Sequence, residues 1–208
     1  MISSLMSRMH KPIYEHRMKV LVDEIVPRLL AGDAVLDVGC GNGTLGAAIM
    51  SDRRCPAGAK VEGLERVVRG GEPIKVHAYD GKTMPLADKS VDVVIVADVL
   101  HHEEQPDRLL RECVRVSRRL VIIKDHKVRG PVSKARVSLM DWAANAPYGV
   151  PCLFRYNTLE QWRAEPAKFG ATIEHERTSM DLYPGLWNPV FGKGLQYMAF
   201  WRTDKSNA

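Results

Sequence analysis

A chain of 208 residues with a net charge of +5 is long enough for one domain with a sizeable core and too short for two comfortable ones. No apolar run reaches membrane-spanning length, and Met1-Ile2-Ser3-Ser4-Leu5 lacks the charged start and long apolar stretch of a secretory leader. Cys40, Cys55, Cys113 and Cys152 form neither a CxxC pair nor a zinc-like Cys/His spacing, so they read as isolated thiols of a reducing, cytoplasmic compartment.

The elements follow in chain order. A helix is expected from about residue 11 to 30, with Val20, Leu21, Ile25 and Leu29 on one face and Pro27 disturbing its last turns. Ala34–Val38 reads as a buried strand and Thr44–Met50 as the helix after it. Ala59–Leu64, ended by Glu65, and Lys75–Tyr79 give two further strands. Val91–Ala97 is a near-continuous β-branched run, suited to the middle of a parallel sheet. Pro106–Val116 is an amphipathic helix, and Leu120–Lys124 a fifth strand. Arg108, Arg111, Arg115, Arg118 and Arg119 fall mostly at helical spacing with no aromatics between them. That pattern describes a solvated helix face and argues against a nucleic-acid partner. After Gly130 a loop-rich stretch over 131–157 is expected, with Trp142, Tyr148, Phe154 and Tyr156 among turn formers. Thr158–Gln161 forms a capping box opening a helix that Gly170 closes, and Thr172–Arg177 and Leu195–Trp201 finish the chain as strands. Strands alternating with helices indicate an α/β fold with a doubly wound, mainly parallel sheet.

The most informative stretch is Val35-Leu36-Asp37-Val38-Gly39-Cys40-Gly41-Asn42-Gly43-Thr44. Glycines at alternate positions let the backbone turn tightly and let a ligand lie on the main chain. The helix start that follows offers free N–H groups to a carboxylate, and Asp37 can meet an amine. A ligand with an amino-acid moiety has both groups. Asp37-x-Gly39-x-Gly41-x-Gly43 resembles the first motif of class I S-adenosylmethionine-dependent methyltransferases, and the likeness continues to about residue 125.

The resemblance implies a Rossmann-like single domain: the N-terminal helix, a cofactor-binding core over about 31–126, and an acceptor lid with an antiparallel C-terminal hairpin at the sheet edge over about 127–203. It also implies S-adenosylmethionine as cofactor, with Asp37, Gly39, Cys40, Gly41, Asn42 and Gly43 cradling the methionine part. Glu65, with Glu62 as the other acid of its strand, would take the ribose hydroxyls. Asp80 beside Gly81 would read adenine, and Val67 or Val68 would lie under the ring. Ala97-Asp98-Val99-Leu100-His101-His102 resembles the strand end of the small-molecule, ubiquinone/menaquinone-type branch, where Ala97 and Asp98 run past the methionine part and the methyl group.

Look-alike motifs fit less well. Gly41-x-Gly43-x-x-Gly46 satisfies a dinucleotide fingerprint, but it starts late after its strand and Asp37 opposes a pyrophosphate. Gly81-Lys82-Thr83 lacks the first glycine of a phosphate loop, whose place Val76 occupies. Pro151-Cys152 lies in the wrong place for cytosine-C5 methylation, and Asn188-Pro189-Val190-Phe191 is too far downstream for amino-group DNA methylation.

Methyl transfer from a sulfonium needs in-line positioning and removal of the acceptor's proton where it has one. His101 and the Asp125-His126 pair after the fifth strand supply the candidate bases, with His102 beside His101. His101 and His102 are expected to point about 100° apart on a helical turn, so no metal site is expected there. Trp142, Tyr148, Phe154 and Tyr156 are expected to form a lid over a hydrophobic or aromatic small-molecule acceptor. An RNA or protein acceptor, or cofactor binding without catalysis, are the alternatives. The oligomeric state is left open.

Overall fold

The protein is described by a computed structural model covering residues 2–146, 149–185, 188, 192 and 194–204. Helix α1 (Ile2–Ile25) gives way to a 3-10 turn at Val26–Arg28. Strand β1 (Ala34–Val38), helix α2 (Thr44–Ser51) and strands β2 (Lys60–Glu65), β3 (Val76–Ala78) and β4 (Val91–Ala97) follow. A 3-10 turn at Leu100–His102 leads to α3 (Pro106–Val116) and β5 (Ser117–His126). The chain continues through α4 (Pro131–Asn145), α5 (Leu159–Ala164), β6 (Thr172–Arg177) and β7 (Gln196–Arg202).

The seven strands form one sheet in the order β3-β2-β1-β4-β5-β7-β6. The first five are mutually parallel, and β7 runs antiparallel between β5 and the edge strand β6. The order reverses between β1 and β4, and their carboxyl ends open the crevice where doubly wound sheets bind ligands.

Successive residues of β4 point to opposite faces, and both faces are covered, so the strand needs apolar residues throughout. Val93 and Ile95 pack with Leu21 and Ile25 of α1, Ile49 of α2, Ile122 and Phe200. Val94 and Val96 pack on the other side with Leu109 and Cys113 of α3, Ile123, Trp162 and Trp201. Among the described residues no helix is long and apolar enough to cross a membrane.

The helix expected to run to Gly170 ends at Ala164 and is followed by a 3-10 turn at Pro166–Phe169, and three other elements depart further from the sequence reading. Helix α1 starts at Ile2 and passes through Pro12, whose missing N–H removes a single ladder bond. Strand β5 extends at both ends, to Ser117 and His126, because the polar residues added there find partners: Arg119 pairs with Asp33 and Asp125 with His101. The stretch expected to be loop-rich instead forms α4, begun by Gly130 and by Pro131, a helix-starting residue whose absent N–H needs no acceptor at that position. The capping box at Thr158 is present as expected, with Gln161 donating its N–H to the threonine hydroxyl.

Ile95 is fully buried between the two helical layers. Ile95→Ala is expected to lower unfolding stability by about 2–5 kcal/mol, as read from a shifted urea midpoint with an unchanged slope.

Candidate cofactor and acceptor site

The loop after β1 takes its shape from its glycines. Gly39 has φ 68°, and a Cβ there would lie 2.6 Å from Val99. Gly43 has φ 74° at the residue preceding α2, and a Cβ there would lie 2.7 Å from Ile74. Both positions therefore exclude any side chain, on conformation and on space. Between them the Cys40 carbonyl accepts the Gly43 N–H at 2.9 Å. The Cys40 thiol packs toward Gly63, and burial, with Asp37 nearby, pushes its pKa up to about 12, so it stays protonated. Asn42 accepts from the Thr44 hydroxyl at 3.0 Å, and Tyr14 of α1 meets the same hydroxyl.

Glu65 ties the end of β2 to this loop. One carboxylate oxygen accepts the Gly41 N–H at 2.8 Å and the other the Arg66 N–H at 2.7 Å. Asp37 lies behind the loop, 2 % exposed, and its Oδ2 has no hydrogen-bond partner among the described residues. Burial, reinforced by the neighbouring charge of Glu65, raises its pKa to about 7.

The rim continues past β3. Asp80 is exposed and accepts the N–H groups of Lys82 and Thr83 at 2.7 and 3.0 Å; the Thr83 N–H and then that of Lys82 hold its pKa below the ordinary range. A cavity of about 230 Å³ opens there, lined by Asp80, Gly81, Arg66, His102 and Glu103. The Arg66 guanidinium lies over Gly81, where a Cβ would come within 2.3 Å of Nε, and pairs with Glu103. Val67 and Val68 stand exposed on the segment following Glu65.

A second cavity, of about 240 Å³, lies at the ends of β4 and β5 under α1 and α4. Its walls include Arg17, Ala97, Asp98, His101, Lys124 and His126. Asp98 has φ 56°, and its carboxylate is held by Arg17 and by Lys124, whose Nζ lies 2.5 and 2.7 Å from the two oxygens. Burial drives the Asp98 carboxyl upward, but the two cations more than reverse this and hold it well below the usual range. Lys124 is 2 % exposed, and burial pulls its pKa down to about 8 against the attraction of Asp98.

The histidines occupy the same wall. His126 is buried, its Nδ1 has no partner among the described residues, and burial together with Lys124 brings its pKa down to about 3. It is neutral at physiological pH and a weak base. His101 Nδ1 lies 2.7 Å from Asp125 Oδ1; burial lowers its pKa, and Asp125 more than offsets that, leaving it above the ordinary value. The rings of His101 and His102 do not diverge as the helical spacing predicts: their centroids are 4.0 Å apart, and both Nε2 atoms face Asp141. Backbone spacing sets where the Cβ atoms point, and the rings swing from there toward the buried carboxylate.

The aromatic residues expected over the acceptor take different positions. Trp142 is 57 % exposed, and Phe154 stands half in solvent. Tyr156 is turned inward, donating its hydroxyl to Asp141 Oδ2 at 2.6 Å. Tyr148 lies outside the described residues. Trp162 is core, donating to the His126 carbonyl and stacked on Tyr197. Sequence reasoning missed Arg17, Lys124 and Asp141; Asp125, expected with His126 after the fifth strand, is here the partner of His101. A lysine inside the apolar run of β5 and an Asp141/Asn145 pair four residues apart were the available signals; Arg17 carried none.

Comparison with known proteins adds an independent line. Residues 36–122 match the family described as Methyltransferase domain. A probable S-adenosylmethionine-dependent methyltransferase of Mycobacterium tuberculosis is 36 % identical over 105 residues, 49 % of this chain and 38 % of that protein. A ubiquinone biosynthesis O-methyltransferase of Sodalis glossinidius is 32 % identical over 123 residues, 51 % of this chain and 46 % of its own length. The chain thus spans less than half the length of these relatives. The magnesium protoporphyrin IX methyltransferase of Synechocystis PCC 6803, solved with bound SAH, superposes with a TM-score of 0.59 at 18 % identity, over 93 % of this chain and 86 % of that one. At that identity the likeness is one of fold.

Removing one member of a buried ion pair strands the other's charge. Asp98→Ala is expected to cost about 3–5 kcal/mol, and pairing it with Lys124→Met to recover part of that loss in chemical denaturation, Arg17 still lacking its partner. A double variant no more stable than Asp98→Ala would contradict the pairing.

Proposed function

We propose, for a chain that belongs to the class I S-adenosylmethionine-dependent methyltransferases, transfer of the cofactor's methyl group to a polar small molecule held at the ends of β4 and β5. The observation that carries this reading is Glu65: its carboxylate stands at the end of β2, bonded to the Gly41 N–H of the glycine loop, with Asp37 buried behind that loop.

The amino-acid end of the cofactor is assigned to the loop Gly39–Gly43. Its carboxylate would take the N–H groups around the start of α2 and its amine would approach Asp37, with Cys40 and Asn42 contributing backbone. The ribose hydroxyls are assigned to Glu65, which can accept both. Adenine is assigned to the cavity beside Asp80 and Gly81, where Arg66 shifts aside or stacks on the ring. The backbone of Ala97 and Asp98 then runs beside the methyl group, between the cofactor and the second cavity.

The sulfonium is already activated, so this chain's main contribution is to hold the acceptor in line and exclude water. The walls of the second cavity favour a polar acceptor over the hydrophobic or aromatic one that the aromatic segment suggests. Lys124 and Arg17 are spoken for by Asp98 and the Asn145 amide nitrogen by Asp141, and the uncharged His126 remains to bond an acceptor oxygen or nitrogen. His126 is better suited to hydrogen bonding than to removing a proton.

Titration calorimetry with S-adenosylhomocysteine tests the cofactor half. Glu65→Ala is expected to weaken binding by roughly 10- to 100-fold, the loss of hydrogen bonds to a charged group; unchanged affinity would remove the assignment.

The pH dependence carries a second expectation. Free Asp37 is protonated below about 7, and an ammonium favours its ionised form, so ligand affinity rises with pH. The expected gain is roughly tenfold between pH 6 and 7.5. The slope disappears in Asp37→Asn.

A further inference from the structure

We infer that His101, His102 and Asp141 form a binding site for a divalent first-row transition-metal ion, opening into the cavity at the ends of β4 and β5. The inference does not depend on methyl transfer. Hydrogen bonds to acceptors fix the Nδ1 proton of each ring. His102 Nδ1 lies 2.8 Å from the Pro151 carbonyl, which can only accept, so that nitrogen is the donor. His101 Nδ1 lies 2.7 Å from the carboxylate of Asp125, which is also an acceptor. In the neutral rings both Nε2 atoms therefore carry lone pairs.

Those lone pairs face another acceptor. His101 Nε2 is 3.8 Å and His102 Nε2 3.6 Å from the same oxygen, Asp141 Oδ1. These separations are too long for hydrogen bonds. They match two ligands sharing one ion: metal–ligand bonds of about 2.0–2.2 Å give such spacings at angles of roughly 120–130°, and closing to a tetrahedron needs only a few tenths of an ångström. Two nitrogens and one carboxylate with the cavity side open is a donor set that zinc and non-haem iron sites use.

The surroundings are those of a metal centre. Metal-ligating histidines hold their second nitrogen against a carboxylate or a backbone carbonyl, and here one ring does each. Asp141 is oriented from two sides, by the Tyr156 hydroxyl on Oδ2 at 2.6 Å and by Asn145 Nδ2 on Oδ1 at 2.9 Å. Charge points the same way. Asp125 and Asp141 are 1 % and 2 % exposed, while the nearby cations Arg17 and Lys124 are engaged with Asp98. Two buried carboxylates with Arg17 and Lys124 already engaged call for a positive charge between them. His126 and Asp98 also lie within ligand reach of His101, but a carboxylate already bonded to two cations is a poor donor, which favours Asp141. The competing arrangement is a proton on His101 Nε2 in place of the ion.

The test uses the full chain, stripped with a chelator and titrated calorimetrically with Zn²⁺, and separately with S-adenosylhomocysteine. One Zn²⁺ per chain is expected, with binding weakened at least tenfold in His102→Ala and in Asp141→Asn, and by roughly 10- to 100-fold in Tyr156→Phe, which touches only the orienting bond. His16→Ala and His77→Ala are expected to bind as the parent does. His102 is the less buried ligand, so His102→Ala decides the matter if Asp141→Asn does not fold, with circular dichroism confirming its fold. Absence of saturable one-to-one binding in the parent, or equal binding in His102→Ala, overturns the site and leaves the protonated His101. Zn²⁺ binding without S-adenosylhomocysteine binding would sink the cofactor reading and leave the metal site standing; the reverse would sink the metal site alone.

Discussion

A lysine in the interior of a parallel sheet must meet a carboxylate, and the pairing of Lys124 with Asp98 organises this end of the molecule. The pair fastens the ends of β4 and β5 together, and Asp98 takes a left-handed backbone conformation there. Arg17 joins from α1, so the first helix is tied to the carboxyl edge of the sheet as well as to its apolar face. The electrostatics of the neighbours follow. Lys124 adds to burial in keeping His126 uncharged, and with both cations engaged at Asp98, the carboxylates of Asp125 and Asp141 turn to histidines and hydroxyls.

Parallel strands send their carboxyl ends to one edge, which divides the work along that edge. The ends of β1, β2 and β3 carry the glycine loop, Glu65 and Asp80, a row suited to an elongated ligand with an amino-acid end and a nucleoside end. The ends of β4 and β5, roofed by α4, carry the polar cavity. The two halves meet at Ala97 and Asp98, and transfer between molecules held in the two halves would have to cross there. The glycine loop is shaped largely by local geometry, whereas the polar cavity is assembled from five separate parts of the chain.

That difference explains what could be read from the sequence. Strands β1, β4 and β6 and helix α3 coincide with their expected spans because local patterning determines them: β-branched runs, alternation, and a proline at a helix start. Asp37, the three loop glycines and Glu65 fall on consecutive strand ends, so spacing alone brings them near one another. The polar cavity depends on distant pairings that leave no periodic trace. Arg17 and Asp98 are 81 residues apart, and Asp141 reaches the histidine turn only because the end of α4 shares a cavity wall with the ends of β4 and β5. Turn-forming residues around Asn145 hid that helix, and the aromatic residues drew attention from the aspartate beside Trp142. The hydrophobic acceptor inferred from those aromatics loses support, since Trp142 faces solvent and Tyr156 serves a carboxylate.

The central claim is that one sheet edge presents a cofactor row and, beside it, a separate polar cavity. A crystal structure of the complex with S-adenosylhomocysteine tests it most directly. The account predicts the ligand's carboxylate at the Gly41–Gly43 turn, its ribose on Glu65 and its sulfur beside Ala97 and Asp98, facing the cavity that Lys124 and His126 line. A ligand bound with its nucleoside in that polar cavity, or with Glu65 still bonded to Gly41 and unengaged by ribose, would contradict it.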